Sequence, residues 1–398
     1  MTFQAFTGKQ YLQIDIANNY GLDKEDWDAR LDWFQQAEAN LEDIMKDAEE
    51  PALFYASVLA YRQAQRGEPV KHPISLDATA SGLQILAALT GCRKSALLCN
   101  LLDSGKRMDA YTGLYELMLK RVGETAKIER ADVKKAVMTS FYASKAVPKR
   151  VFGEGALLQH FYDTVSQEAP GAWELNESFQ ALWNPNALSN DWVLPDNFHV
   201  HIKVMDSVTE TIHFLNEPFD VSHKENKSMK EGRSLGANAT HSIDGMVVRE
   251  MARRCNYNPV TISRLKDQVF SKNQSMNRPR DEMVRKLWKH YERTGFLSAR
   301  ILGYLDRDNA GHVDALAITK LIGSLPKKPF EMLSNHDCFR CLPNYGNDLR
   351  MTYNRILSEI AGSNLLADIV TQLVGKQITV RKYGDIQSDV LEANYALS

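Results

Sequence analysis

The sequence predicts an α-rich α/β fold, on three observations. Long stretches such as Arg130–Ser144 are rich in helix formers and free of Gly and Pro. Strand patterning is confined to short runs near Pro73–Asp77, Trp192–Leu215 and Phe330–Leu342. With 44% hydrophobic and 25% charged residues over 398 positions, the chain has ordinary globular composition and material for two or three structural units.

Charge excludes a general attraction to nucleic acid, because the formal net charge is only −2. Any such contact must come from local patches. Lys120–Arg150 is one, with nine Lys or Arg against three acids, and Arg264–Arg293 is another, with nine against four. Five cysteines in a chain this long point to a reducing compartment. Cys338 and Cys341 stand at CxxC spacing, but no second pair or thioredoxin-like context supports a metal or redox role. The N-terminus lacks the basic flank and apolar run of a signal peptide, and no apolar run reaches membrane-spanning length.

In chain order, Tyr11–Ala17 reads as a short buried segment. Arg30–Lys46 and Ala52–Gln65 read as amphipathic helices, the second closed by Gly67 and Pro69. Pro73–Asp77 is a buried strand that delivers Asp77 at its end, and Ser81–Leu89 is a helix stopped at Gly91. Helices follow around Arg107–Arg121, Arg130–Ser144, Gly155–Glu168 and Ala172–Trp183. In Trp192–Leu215 the period changes: Val200, Ile202 and Val204 alternate with polar residues, predicting a hairpin that turns at Met205–Val208. His199, His201 and Lys203 then share one strand face. Asn238–Arg249 begins another helix. Two short strands, Phe330–Ser334 and Phe339–Leu342, flank Asn335-His336-Asp337, and helices over Gly346–Ile360 and Asn364–Val374 follow. Asp306-x-Asp308 with Gly311 is no calcium loop, because Ala310 and Ala317 fall where oxygen ligands are needed.

On the Arg130–Ser144 helix, Arg130 and Lys134 lie one turn apart on one face, in the first turns where the helix dipole also favours anions. Met138 and Tyr142 continue that ridge. The arrangement suits a triphosphate at one end and a sugar and base at the other. A solvated basic helix with a core tyrosine is the structural alternative. Taken alone, an Asp at position 77 is more often a helix cap or turn residue, Lys24 a loop lysine and His241 a structural histidine.

Three stretches change that balance together: ISLDATASGLQ at Ile74–Gln84, RADVKKAVMTSFYAS at Arg130–Ser144, and SNHDCFRCLP at Ser334–Pro343. Their order and content resemble motifs A, B and C of the single-subunit RNA polymerases of T-odd phages and mitochondria. Those patterns are an Asp followed four to five residues later by Ser-Gly, Arg-x3-Lys-x7-Tyr-Gly, and His-Asp. Within the family the resemblance is nearest to the larger chain of the two-chain enzymes of N-four-like phages. It covers nearly the whole chain except Asn256–Lys328, which reads as an insertion. One departure is that the family's Tyr-Gly is Tyr142-Ala143 here.

The resemblance implies a right-hand polymerase fold with a small antiparallel palm sheet. Its palm would comprise residues 1–92, 242–255 and 329–398, and its fingers residues 93–241, around an insertion at 256–328. It implies two magnesium ions on Asp77 and Asp337. Lys134, Arg130 and Lys24 would neutralise the triphosphate, and Lys134 would also serve as proton donor to the leaving group. Tyr142 would select the ribose, Gly82 allow close packing behind Asp77, and His241 approach the minor groove at the growing RNA end. His336 would adjoin the bound substrate. The hairpin with His199, His201 and Lys203 would enter the major groove of promoter DNA, and the C-terminal tail would tuck back near the active site. The expected partners are a DNA template, RNA product and NTPs in the cytoplasm of an infected bacterium, with no membrane.

Only about ten residues precede the segment matched by Tyr11–Phe34, and no Asp-x-x-Gly-Arg motif occurs. The expectation is therefore a second polypeptide supplying the N-terminal domain, thumb and that motif. The rival readings are a primase or other palm-type polymerase, and an inactive nucleic-acid-binding scaffold. The Lys-to-Tyr spacing of the second motif argues against reverse transcriptase, and the presence of Asp77, Asp337, Lys134 and Tyr142 argues against the scaffold.

Overall fold

The computed structural model describes residues 3–123, 128–142, 145–232 and 234–398. Helix α1 (Gly8–Ala17) opens with Thr7 and Gln10 capping one another and runs into a wide turn at Asn18–Leu22, where Gly21 takes φ +119°. Helices α2 (Trp27–Ala37) and α3 (Pro51–Gln65) follow. The helix expected over Arg30–Lys46 ends at Ala37, and only a short 3-10 turn forms at Ile44–Asp47. The cause is tertiary. Arg62 of α3 donates to the Glu38 carbonyl at 2.8 Å, satisfying a group that the helix end leaves open, and Leu41 turns into the core.

Strand β1 (Ile74–Asp77) leads into α4 (Ser81–Thr90), whose ten residues are all buried. Its polar Gln84 and Thr90 side chains donate to backbone carbonyls, so the mainly apolar helix can lie inside, and α4 packs against the helices that follow later in the chain. Gly91 ends it at φ +65°, and a β-carbon there would stand 2.1 Å from the Gly384 carbonyl oxygen. That stop therefore needs glycine for both conformation and space. Five helices come next: α5 (Arg93–Leu98), α6 (Ala110–Val122), α7 (Arg130–Ser140), α8 (Ala146–Phe152) and α9 (Ala156–Glu168). Helix α10 (Pro170–Ala181) closes this part. Helix α7 is shorter than its predicted span, so Tyr142 falls in the turn just beyond it. Ala143, the departure from Tyr-Gly, lies outside the described residues.

The single hairpin expected across Trp192–Leu215 is two separate ribbons. Strands β2 (Ser189–Val193) and β3 (His199–Lys203) pair antiparallel, turning through Leu194–Phe198. Strands β4 (Met205–Phe214) and β5 (Glu217–Asn226) form the second ribbon. Met205–Val208, predicted as the turn, is thus the start of a strand. The first turn had a signal in Pro195-Asp196-Asn197, where Asn197 takes φ +56°. The second uses Leu215 and Asn216, both at positive φ, as in the two-residue turns whose twist matches a ribbon.

Helix α11 (Ser234–Cys255) returns to the main core. Helices α12 (Pro259–Gln268), α13 (Pro279–Thr294) and α14 (Ala315–Gly323) surround a second apolar cluster that includes Ile262, Val284, Ile301 and Ile318. Strands β6 (Leu333–Asn335) and β7 (Cys338–Cys341) then complete an antiparallel sheet of order β1-β7-β6. Helices α15 (Gly346–Gly362), α16 (Leu365–Val374) and α17 (Gln387–Val390) finish the chain. Among the described residues no helix is long and apolar enough to cross a membrane.

Candidate active site

The sheet register brings the two predicted carboxylates together. Asp77 at the end of β1 pairs with Cys338, and Asp337 immediately precedes Cys338. The β6–β7 connection is the two-residue turn His336-Asp337, with His336 at φ +55°. The Asp337 carbonyl accepts from the Ala78 amide at 3.0 Å, which fixes that turn to the continuation of β1. On the other side of β1, Ser398 exchanges backbone hydrogen bonds with Asp77 at 2.9 and 3.2 Å. Beneath the strand, buried Asp15 accepts from the Ser75 amide at 3.0 Å and from the Ser57 hydroxyl at 2.7 Å. Asp77 thus stands on backbone held from three directions.

Two adjoining cavities share Thr79, Ala110 and Tyr111. The larger, about 500 Å³, is lined by Asp77, Lys24, Arg130, Lys134, Arg340 and Ser398, among others. The smaller, about 110 Å³, is lined by Gly82, Met138, Tyr142 and Asp337. The ridge predicted on α7 therefore faces the carboxylates: its cations open on the larger cavity and its aromatic end on the smaller.

The cations differ in what they already touch. Arg130 forms an ion pair with Asp109 and donates to the Thr112 hydroxyl at 2.6 Å. Lys134 lies over the Tyr111 ring at 5.7 Å. Lys24 sits 3.5 Å from Asp23 and is half exposed. The Tyr142 ring stacks on His241, centroids 4.5 Å apart and planes 3° from parallel.

Negative charge is concentrated here. Burial raises the Asp337 carboxyl, and the Asp77 charge raises it further. Asp244 is pushed up to about 6, first by burial and then by Asp337. Its carboxylate accepts from the Ser81 hydroxyl at 3.4 Å. Burial, then the charges of Asp244 and Asp337, push the Tyr142 phenol up to about 12. Burial lowers the His241 imidazole, helped by His336. A site that strains to hold anions, with hard oxygen donors on rigid backbone, fits a magnesium-type cation.

Sequence reasoning missed Asp244, Ser81, Arg340 and Tyr111. Asp244 was within reach, since it lies three residues after His241 on the same helix face. Arg340 follows Cys338 by two residues and so shares its strand face. His199, His201 and Lys203 do lie on the exposed face of β3, where His201 Nδ1 is 2.5 Å from Asp191. None of them lines either cavity. Among the described residues, one group of three side chains brings metal-ligating atoms within 4.8 Å of one another: Glu210, His223 and Glu225, exposed on the second ribbon.

Residues 5–182 match the family model for DNA-dependent RNA polymerase. That stretch, a little under half of the chain, is similar to the single-subunit RNA polymerases. It is similar to a probable DNA-directed RNA polymerase of Neurospora crassa, 32% identical over 159 residues, covering 34% of this chain and 18% of that relative. It is also similar to the mitochondrial DNA-directed RNA polymerases of Neurospora crassa and Schizosaccharomyces pombe. These are 28% and 27% identical, over 36% of this chain in each case, and 12% and 15% of the relatives. The chain therefore spans less than a fifth of the length of these family members. Lys24, Asp77, Gly82, Arg130, Lys134 and Tyr142 fall inside the family match, and His241, His336 and Asp337 beyond it.

Proposed function

We propose that this chain is the catalytic part of a phage DNA-directed RNA polymerase, joining NTPs to an RNA 3′ end on a DNA template. The observation that carries the reading is the β1–β7 register. It sets Asp77, which lines the larger cavity with Lys134 and Arg130, beside Asp337, which lines the smaller one.

Asp77 and Asp337 would hold the two magnesium ions. When bound, these ions make the RNA 3′-hydroxyl more acidic and offset charge on the leaving pyrophosphate. The protein's own share is positioning and electrostatics. Lys134, which faces an aromatic ring rather than a carboxylate, is freer than Arg130 or Lys24 to meet the triphosphate and to act as proton donor to pyrophosphate. Arg130 is held in place by Asp109 and shares its charge with it, and Lys24 also lines the cavity. The Tyr142–His241 stack forms a flat wall for the sugar. On this reading the sheet, α4 and α11 make the palm, α6 to α10 the fingers, and the exposed β2–β3 ribbon approaches promoter DNA.

The relatives are several times longer than the stretch they share with this chain. Holding an RNA–DNA hybrid needs a further wall, which a second polypeptide supplies in this proposal. The test is NTP incorporation on a primed RNA–DNA scaffold by the purified chain, alone and with the candidate partner. Magnesium-dependent extension only with the partner is expected. No extension under either condition would overturn the catalytic reading, and processive extension by the chain alone would overturn the two-chain one. A primase-type activity would instead start chains on single strands without a primer.

A further inference from the structure

The β1-β7-β6 sheet has two unlike faces, and the register sorts them. Directly paired residues point to the same side, as do alternate residues along one strand. Ile74, Leu76, Phe339 and Cys341 are buried beneath the sheet. Ser75, Asp77, Cys338 and Arg340 share the other face, and all four line the larger cavity. On the edge strand, Leu333 pairs with Arg340 and Asn335 with Cys338, so both carry that face outward. Leu333 is 63% exposed there.

Arg340 is the one cation among these six face residues. Among the described residues no ion pair ties it to a carboxylate, and its guanidinium meets the Cys338 thiol instead. That thiol in turn lies 3.0 Å from the Ser75 hydroxyl. A half-buried arginine in a cavity, with no acid to neutralise it, is suited to a phosphate.

Position decides which phosphate. Arg340 pairs with Ser75, two residues before Asp77, and so stands roughly 6–7 Å back along the sheet. Lys134 lies over Tyr111, which lines both cavities together with Thr79, two residues after Asp77. The two cations thus flank Asp77, one beside Ser75 and the other on the Thr79 side. Nucleotide addition joins two substrates at the carboxylates, an NTP and a strand end. With the triphosphate on the Lys134 side, the sheet face at Arg340 is left for the strand. Leu333, beside Arg340, offers that strand an apolar seat for a sugar.

We propose that Arg340 binds the RNA strand, holding a backbone phosphate next to its 3′ end, with Leu333 under the adjoining ribose. The assignment rests on the polymerase reading given above and adds a contact for the growing chain to it.

The test binds the full chain to a fluorescein-labelled primed RNA–DNA scaffold, read by anisotropy with no NTP present. Arg340→Ala should weaken scaffold binding by about ten-fold, the scale of losing a charged hydrogen-bonding partner. The salt dependence of binding should fall by about one phosphate contact. Arg340→Lys, which keeps the charge, should recover most of the affinity. A neutral methylphosphonate at one of the last two RNA linkages should weaken binding by wild type and leave Arg340→Ala unaffected. Binding of a fluorescent ATP analogue should be unchanged in Arg340→Ala and weakened in Lys134→Ala. Equal scaffold affinity in wild type and Arg340→Ala, absent binding included, would overturn the proposal. So would a loss confined to the ATP analogue, which would move the arginine to the triphosphate. Extension assays on the same scaffold judge the polymerase reading separately. A chain that binds through Arg340 yet never extends would sink that reading alone.

Discussion

Tyr142 closes over Gly82. A β-carbon built on Gly82 would stand 2.5 Å from the Tyr142 hydroxyl oxygen and 3.1 Å from its Cζ. The glycine therefore makes room for an aromatic ring on another element. Because His241 stacks on that ring, the tyrosine cannot swing aside without breaking a parallel contact.

Gly82→Ala should displace Tyr142, while α4, where alanine is a good residue, stays folded. The expected result is a loss of discrimination between ribo- and deoxyribonucleotides with an unchanged circular dichroism spectrum. Tyr142→Phe keeps the ring and removes the hydroxyl. Losing one hydrogen bond of about 1–3 kcal/mol should relax sugar selectivity by roughly ten- to a hundred-fold while RNA synthesis continues. Competition between each NTP and its deoxy form measures both. Intact selectivity in Tyr142→Phe would make the tyrosine structural.

Asp77→Asn and Asp337→Asn should each abolish nucleotide addition by several orders of magnitude, with the fold and DNA binding retained. Because burial and Asp77 raise the Asp337 carboxyl, protons should compete with magnesium at a higher pH than for an ordinary aspartate. Magnesium affinity should therefore weaken early as pH falls, which a titration of activity against magnesium at several pH values reads out. Near-normal activity in either variant would remove that residue from the metal site.

Asp244→Asn tests the third carboxyl. Its pKa rises from 3.8 to about 6 on folding, so its ionised form opposes folding by about 3 kcal/mol. The sign is that of a raised group: the penalty is absent below the unfolded pKa and complete above the folded one. In EDTA, wild type and Asp244→Asn should match in stability near pH 4. The variant should become the more stable between pH 4 and 6 and keep that lead above. Urea melts across that range would show it, and parallel curves would place Asp244 in a better-hydrated setting.

Lys134→Ala should raise KM for NTP more than Arg130→Ala does. Arg130 already shares its charge with Asp109, whereas Lys134 faces only the Tyr111 ring among the contacts described above. Asp109→Asn should then strengthen triphosphate binding by freeing Arg130. Equal effects of the two cation variants would mean that Arg130 leaves Asp109 when substrate arrives.

Much of this was legible in the sequence wherever the signal was local. The β1 strand, α4 and its stop at Gly91, the α7 ridge and the short strands around His336-Asp337 were all read from neighbours along the chain. The ribbons were misread because alternation continues through Met205–Val208, so periodicity alone did not mark the turns. The true turns rest on positive φ at Asn197, Leu215 and Asn216, and leucine gives no warning of such a conformation. The end of α2 was set by an arginine on α3.

The sequence by itself determined the order of motifs, most of the element types and which residues are candidates for the chemistry. Those depend on propensity, period and residue identity, which act over a few positions. Only the tertiary structure decided that Asp77 and Asp337 adjoin and that Ser398 zips onto β1. It also decided that Asp109 claims Arg130, and that Asp244 joins the acidic cluster. These contacts link residues that lie well apart in the chain, and their formation depends on how whole elements pack together, a condition that no local stretch can state.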